Sequence, residues 1–293
     1  MRVFISIGMQ TLIEDIVNKY AHSNSIIGIA LSGSVNKGFY DDVSDVDFFI
    51  YLENKALLTI QYISENFQIV NSDITQKVYN IEQNYYYSGR FINVKFFSFE
   101  FIKSYLEMPF QWEDIFLEQV ENIISMKTLH DPHNRLRRSQ EACAKCFFQE
   151  KPRLLKEMLD RYGNLFWRSV YQCVYRDEKS CARLMLDQAL NLFVKLAYMQ
   201  NNILPPPVKW RLNKNNLSQI IGGSKLLELV ELFEKVDWRD KIHLLFLYEQ
   251  IRETELEILR SPQKGWWWNV FEKNGVGLVS SPHFRDFLEK IRT

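Results

Sequence analysis

Asp45 and Asp47 flank a single valine in Asp45-Val46-Asp47-Phe48-Phe49-Ile50, and a Gly33-Ser34 step precedes them across a short polar loop. Residues two apart on a strand point to the same face, so the two aspartates project side by side. Val46, Phe48, Ile50 and Leu52 then point the other way, into a core. Two carboxylates held that close repel each other unless a cation sits between them. Hard oxygen ligands favour Mg²⁺, which commonly binds through one or two carboxylates together with substrate phosphates. Gly33 lets the backbone approach a ligand closely and Ser34 adds a hydroxyl, so this turn can hold phosphate oxygens. The chemistry indicated is metal-assisted nucleotidyl or phosphoryl transfer.

The plainer reading is a turn with Gly-Ser for geometry and two solvated aspartates at a strand start. The order and spacing argue against it, because an apolar strand (Ile26 to Leu31) comes before the turn and an apolar half-strand follows the pair. An EF-hand is excluded: counting from Asp45, position five is Phe49 and no glycine follows at position six. A Walker loop is excluded too, since no Gly-Lys-Ser/Thr follows the first strand. Gly33-Ser34 followed by Asp45-Val46-Asp47 on a strand resembles the signature of the nucleotidyltransferase superfamily that includes polymerase beta. The likeness is to the small bacterial branch of antibiotic and minimal nucleotidyltransferases. Thr128-Leu-His-Asp-Pro132 resembles the strand and turn that close the catalytic domain there, and Pro205-Pro-Pro-Val-Lys-Trp210 the proline-lysine segment of its helical domain.

The resemblance implies Mg²⁺ held by Asp45 and Asp47, and an NTP, ATP in the first instance, held by Gly33 and Ser34. AMP would then pass to a hydroxyl of a small molecule or a protein. It also implies a third carboxylate on a later strand, and the matching strand, Ile92-Asn-Val-Lys-Phe-Phe-Ser98, offers Asn93. Asparagine keeps a ligand oxygen but not the charge, so it binds metal more weakly and serves poorly as a base. A shift of two residues would put Lys95 there instead, and Glu100 is another carboxylate that could fill the place. Lys209 is the candidate triphosphate contact from the helical part, since an ammonium is a compact charge suited to phosphates. Lys37 is a second candidate of that kind, Asp41 and Asp42 read as solvated, and Glu113 or Glu118 could supply a general base. The rival reading is a nucleotidyltransferase fold that binds nucleotide or a partner protein but has lost turnover.

The elements that must position these residues follow from periodicity. Apolar residues at Leu12, Ile13, Ile16 and Val17 predict a helix over Gln10–Tyr20, and strands follow at Ile26–Leu31 and Val46–Leu52. Lys55–Phe67 reads as a helix, Gln68–Glu82 is ambiguous with candidate strands near Phe67–Val70 and Lys77–Tyr79, and Phe91–Phe97 is a strand. Helices are expected over Glu100–Leu106 and Trp112–Ile123. From about His133 only amphipathic helical segments follow: Arg135–Phe148, Pro152–Tyr175, Lys179–Met199, Ser224–Val236 and Trp238–Leu259. The expected fold is α+β: an αβ catalytic domain with a short mixed sheet over 1–132, then an all-α helical bundle over 133–293.

Composition narrows the partners. The 293 residues carry 36 basic and 36 acidic side chains with no long block of one sign, against the basic face of a general nucleic-acid binder. No stretch approaches a membrane span, and Met1 to Met9 is too short an apolar run for a secretory signal. Cys143, Cys146, Cys173 and Cys181 read as free thiols of a cytoplasmic protein, with no second close pair to complete a zinc site around Cys143-x-x-Cys146. The triplets Tyr85–Tyr87 and Trp266–Trp268 read as core or interface before ligand stacking.

Overall fold

The computed structural model describes residues 7–38, 40, 44–58, 75–77, 80–87 and 89–259. Two compact units emerge: Met1–Phe110 with Gln119–Phe147, and Gln111–Glu118 with Phe148–Thr293. The chain passes between the units three times: in the irregular stretch at 110/111, then within the helix Asp114–Ser125 and within the helix Arg135–Gly163. Among the described residues, no helix is long and apolar enough to cross a membrane.

The first unit is built on strands β1 (Ile26–Ser32), β2 (Val46–Leu52), β3 (Thr75–Lys77), β4 (Asn80–Tyr87), β5 (Arg90–Ser98) and β6 (Lys127–His130). Their order across the sheet is β3-β4-β5-β2-β1-β6. β2 and β5 run parallel and every other pairing is antiparallel. Helix α1 (Ile7–Ala21) buries Met9, Leu12, Ile13, Ile16 and Tyr20, the three- and four-residue spacing of one helical stripe. That stripe shares a core with Leu31 of β1, Val46, Phe48 and Ile50 of β2, and Ile92, Val94 and Phe96 of β5. Side chains alternate along a strand, so the other parity of β2 and β5 faces away from α1. At its far end this second face is apolar: Tyr51 stacks on Phe97, which stacks on Phe101. At its near end it carries Asp47, Asn93 and Lys95, so the polar side chains gather where β2 and β5 begin.

Between the strands lie α2 (Gly33–Lys37), α3 (Phe99–Glu107) and α4 (Asp114–Ser125). Ser98 caps α3 by accepting the Glu100 amide at 3.1 Å. The pairing of β4 with β5 turns at Gly89, whose φ of 77° suits a residue without Cβ. The ambiguous Gln68–Glu82 segment thus ends inside a strand, and Tyr85–Tyr87 belong to it. Of the helix expected over Lys55–Phe67, Lys55–Leu57 form one tight turn. Residues 59–67 and the candidate strand at Phe67–Val70 lie outside the described residues.

Among the described residues, the second unit is helical. Helix α5 runs unbroken over Arg135–Gly163 and crosses from one unit to the other; the break expected before Pro152 is absent. A proline costs an interior helix one hydrogen bond, and here the flanking Leu154, Leu155, Met158 and Leu159 are all buried, which offsets it. A wider turn over Asn164–Val170 follows, then α6 (Tyr171–Tyr175), α7 (Lys179–Gln200), α8 (Val208–Arg211), α9 (Lys214–Leu217), α10 (Gly223–Lys235) and α11 (Lys241–Leu259). Tyr162, Phe166 and Tyr248 stack in its core, and the Tyr162 hydroxyl donates to the fully buried Glu255 at 2.9 Å.

Candidate active site

The end of β1 and the start of β2 are neighbours in the sheet, with Ser32 opposite Asp47. The chain leaves β1 at Gly33, whose φ is 69°. A Cβ built there would lie 2.0 Å from Asp47 Oδ2, so only glycine lets the backbone lie against that carboxylate. Ser34 follows, 9% exposed, and its hydroxyl has no hydrogen-bond partner among the described residues. A buried hydroxyl left unpaired costs about 1–3 kcal/mol, and a ligand oxygen would remove that cost. Asp45 is half-buried and lies one residue before β2, at the parity of Asp47.

The parallel pairing of β2 with β5 sets Asn93 directly beside Asp47. Asn93 is buried; its Nδ2 donates to Glu82 Oε1 at 2.8 Å, and its Oδ1 accepts from nothing among the described residues. Lys95, two residues on, lies 3.8 Å from Asp47 Oδ1 and 3.8 Å from Glu82 Oε1. A carboxylate on β4 therefore stands next to the position where Asn93 lacks one. Sequence reasoning missed Glu82, and its only signal was register: opposite Lys95 on an antiparallel neighbour, it shares the face of Asn93 and Asp47. Asp45, Asp47 and Glu82 against Lys95 leave two excess negative charges on this end of the sheet. That balance, the hard oxygens of Asp47 and Asn93, and the unpaired Ser34 hydroxyl fit a divalent cation carrying a phosphate oxygen.

A family model described as a nucleotidyltransferase domain matches residues 12–121, from α1 to α4 and across the whole Gly33–Asp47–Asn93 arrangement. This stretch is a nucleotidyltransferase domain. No curated protein matches the chain in sequence. Among solved structures, the chain is similar to a nucleotidyltransferase-like protein from Exiguobacterium sibiricum 255-15. The two are 11% identical, with a TM-score of 0.40, over 97% of this chain and 92% of that one.

Lys37 is held by both oxygens of Glu121 at 2.6 Å, with the two side chains only 11% and 10% exposed. It anchors α2 to α4 and is not an open phosphate contact, which corrects its candidacy. Asn36 does the same by donating to the Ser125 carbonyl at 2.8 Å. Lys209 is exposed on α8, with its ammonium 4.5 Å from the Trp210 ring centre. Glu113 is exposed and Glu118 half-buried, both in the segment assigned to the second unit. Glu100 is exposed at the start of α3, where its carboxylate lies 3.5 Å from the Ser98 hydroxyl. Tyr86 is exposed beside Phe91, while Asp41, Asp42 and Trp266–Trp268 lie outside the described residues.

The second unit holds a buried charge cluster of its own. Asp114 Oδ1 accepts from Lys195 Nζ at 2.9 Å and from Arg211 at 2.6 Å. Asn191 bridges Arg211 and Asp114, and Lys195 also reaches the Trp112 carbonyl at 3.4 Å. Burial works to raise the Asp114 pKa, but the two cations outweigh it and hold the carboxyl below its ordinary range. Burial lowers the Lys195 ammonium more than Asp114 raises it. Two cations against one carboxylate make Asp114 the anion on which this packing depends.

Proposed function

We propose that this protein transfers a nucleoside monophosphate, AMP from ATP in the first instance, to a hydroxyl of a small molecule or a protein, with Mg²⁺ as cofactor. The observation that carries the reading is Gly33 lying against the Asp47 carboxylate with the buried, unpaired Ser34 hydroxyl beside it. Asp45 and Asp47 would hold Mg²⁺, and Asn93 Oδ1 would lend it a neutral oxygen. When bound, the cation neutralises charge on the phosphates and aligns the attacking and leaving oxygens. Gly33 admits the triphosphate close to the backbone, and Ser34 donates to a β- or γ-phosphate oxygen. Glu82 holds Asn93 in place through its amide and adds the negative charge that Asn93 lacks.

Mn²⁺ titration, with and without ATP, and pyrophosphate release against a panel of hydroxyl-bearing acceptors test this. Asp45→Ala and Asp47→Ala should each abolish cation-dependent ATP binding and release while the far-ultraviolet spectrum is kept, since neither residue is in the core. Unchanged binding in the double variant would overturn the reading. The second reading, a nucleotide-binding protein without turnover, is favoured by one observation: the Lys95 ammonium already lies between Asp47 and Glu82, beside an asparagine in place of a carboxylate. Cation-dependent ATP binding with no release on any acceptor would select it.

A further inference from the structure

Outside the nucleotidyltransferase domain, the turn from α6 to α7 brings three donor atoms together. Asp177 has a φ of 61°, and the Glu178 amide donates back to the Cys173 carbonyl at 2.8 Å. The chain thereby reverses, and Glu178 and the first turn of α7 fold over the end of α6. Cys173 Sγ and Cys181 Sγ end 2.8 Å apart, and one carboxylate oxygen of Glu178 lies with both sulfurs inside a 4.8 Å set. Among the described residues this is the one group of three or more cysteine, histidine or carboxylate side chains gathered so closely.

We propose that Cys173, Glu178 and Cys181 form a binding site for a thiophilic divalent cation of the zinc class. Two sulfurs and one oxygen suit a borderline-soft ion that takes four ligands, with water in the fourth place because Glu178 is exposed. A Zn–S bond of about 2.3 Å at a tetrahedral angle sets two thiolates about 3.8 Å apart, so the sulfurs must separate by about 1 Å on loading. Cys181, half-buried at the first turn of α7, has the freedom to do so; Cys173 is buried. Without a cation the Cys173 thiol is pushed up to about 12, by burial first and then by Cys181 and Glu178. Two thiolates and a carboxylate carry three negative charges, and a divalent ion leaves one. The ion ties α6 to α7 across a short turn, and it stabilises the fold in proportion to how far its concentration exceeds its Kd.

The experiment uses the full chain, reduced and stripped with a chelator under nitrogen, then titrated with Co²⁺ and Zn²⁺. A thiolate-to-cobalt charge-transfer band at one equivalent is expected, displaced by Zn²⁺. Oxygen ligands at Asp45 and Asp47 produce no such band, so the result does not depend on the proposed nucleotidyl transfer. Cys181→Ser, at a half-buried position, should abolish the band, and Glu178→Gln should weaken Zn²⁺ at least tenfold. No band in the wild type, an unchanged band in Cys181→Ser, or a Cys173–Cys181 disulfide that survives the reduction would each overturn the proposal.

Discussion

Gly33→Ala tests the site most directly, because its two costs fall on different measurements. At a φ of 69° a residue with a Cβ costs about 1–2 kcal/mol in backbone strain. The new methyl would also meet Asp47 Oδ2 at 2.0 Å, and contacts under 3.0 Å are not tolerated, so the carboxylate must retreat by at least 1 Å. That oxygen is the end of a side chain that can swing, so the fold survives and the site loses its geometry. A misplacement of about 1 Å at a reacting centre costs on the order of 100-fold, or about 2.7 kcal/mol of transition-state stabilisation. Gly89→Ala supplies the control: φ is 77° there, and a Cβ would meet nothing within 4 Å. Urea unfolding should show similar losses for the two variants. Mn²⁺ and ATP binding, and pyrophosphate release where an acceptor is found, should fall about 100-fold in Gly33→Ala alone. Equal site function in the two variants would refute the argument that the Gly33 backbone seats Asp47.

Three further outcomes follow from the same geometry. Asn93→Asp adds a carboxylate beside Asp47 and facing Glu82 at 2.8 Å, so it should raise Mn²⁺ affinity about tenfold and lower the melting temperature when no cation is present; Glu82→Gln should lower that affinity about tenfold. Glu121→Gln removes the carboxylate that ties the nearly buried Lys37 of α2 to α4 and should lower the urea unfolding midpoint, with ATP affinity of the folded protein kept. Asp114→Asn should cost about 3 kcal/mol, the low end for breaking a buried pair because Asp114 is 31% exposed. The Asp114 pKa is held below its unfolded value, so its contribution is full above about pH 4 and is lost as pH falls through the folded value. The variant's unfolding free energy should lack that part of the acid dependence.

The reach of local periodicity explains what could be read before the fold was known. Strand β2 was legible to the residue, because Val46, Phe48 and Ile50 alternate with residues of the other face. The stripe on α1 and the helical character of residues 135–259 were legible for the same reason, whereas the short helix α2 over Gly33–Lys37 stands where a polar loop was expected. Strand β4 was not legible: Glu82-Gln-Asn-Tyr-Tyr-Tyr carries no alternation of apolar and polar residues, and its register comes from β5 across the turn at Gly89. The placement of Glu82 and Lys95 around Asp47 needs three strands in register at once, which no window of sequence contains. Lys37 looked like a free cation because its partner, Glu121, lies 84 residues away. Cys173 and Cys181 looked like scattered thiols because only the left-handed turn at Asp177 folds one over the other. By itself the sequence determined which residues face a core and which carry charge, since side-chain direction repeats within a few residues. Tertiary structure alone decided which charges meet, since that depends on contacts between segments the chain separates widely.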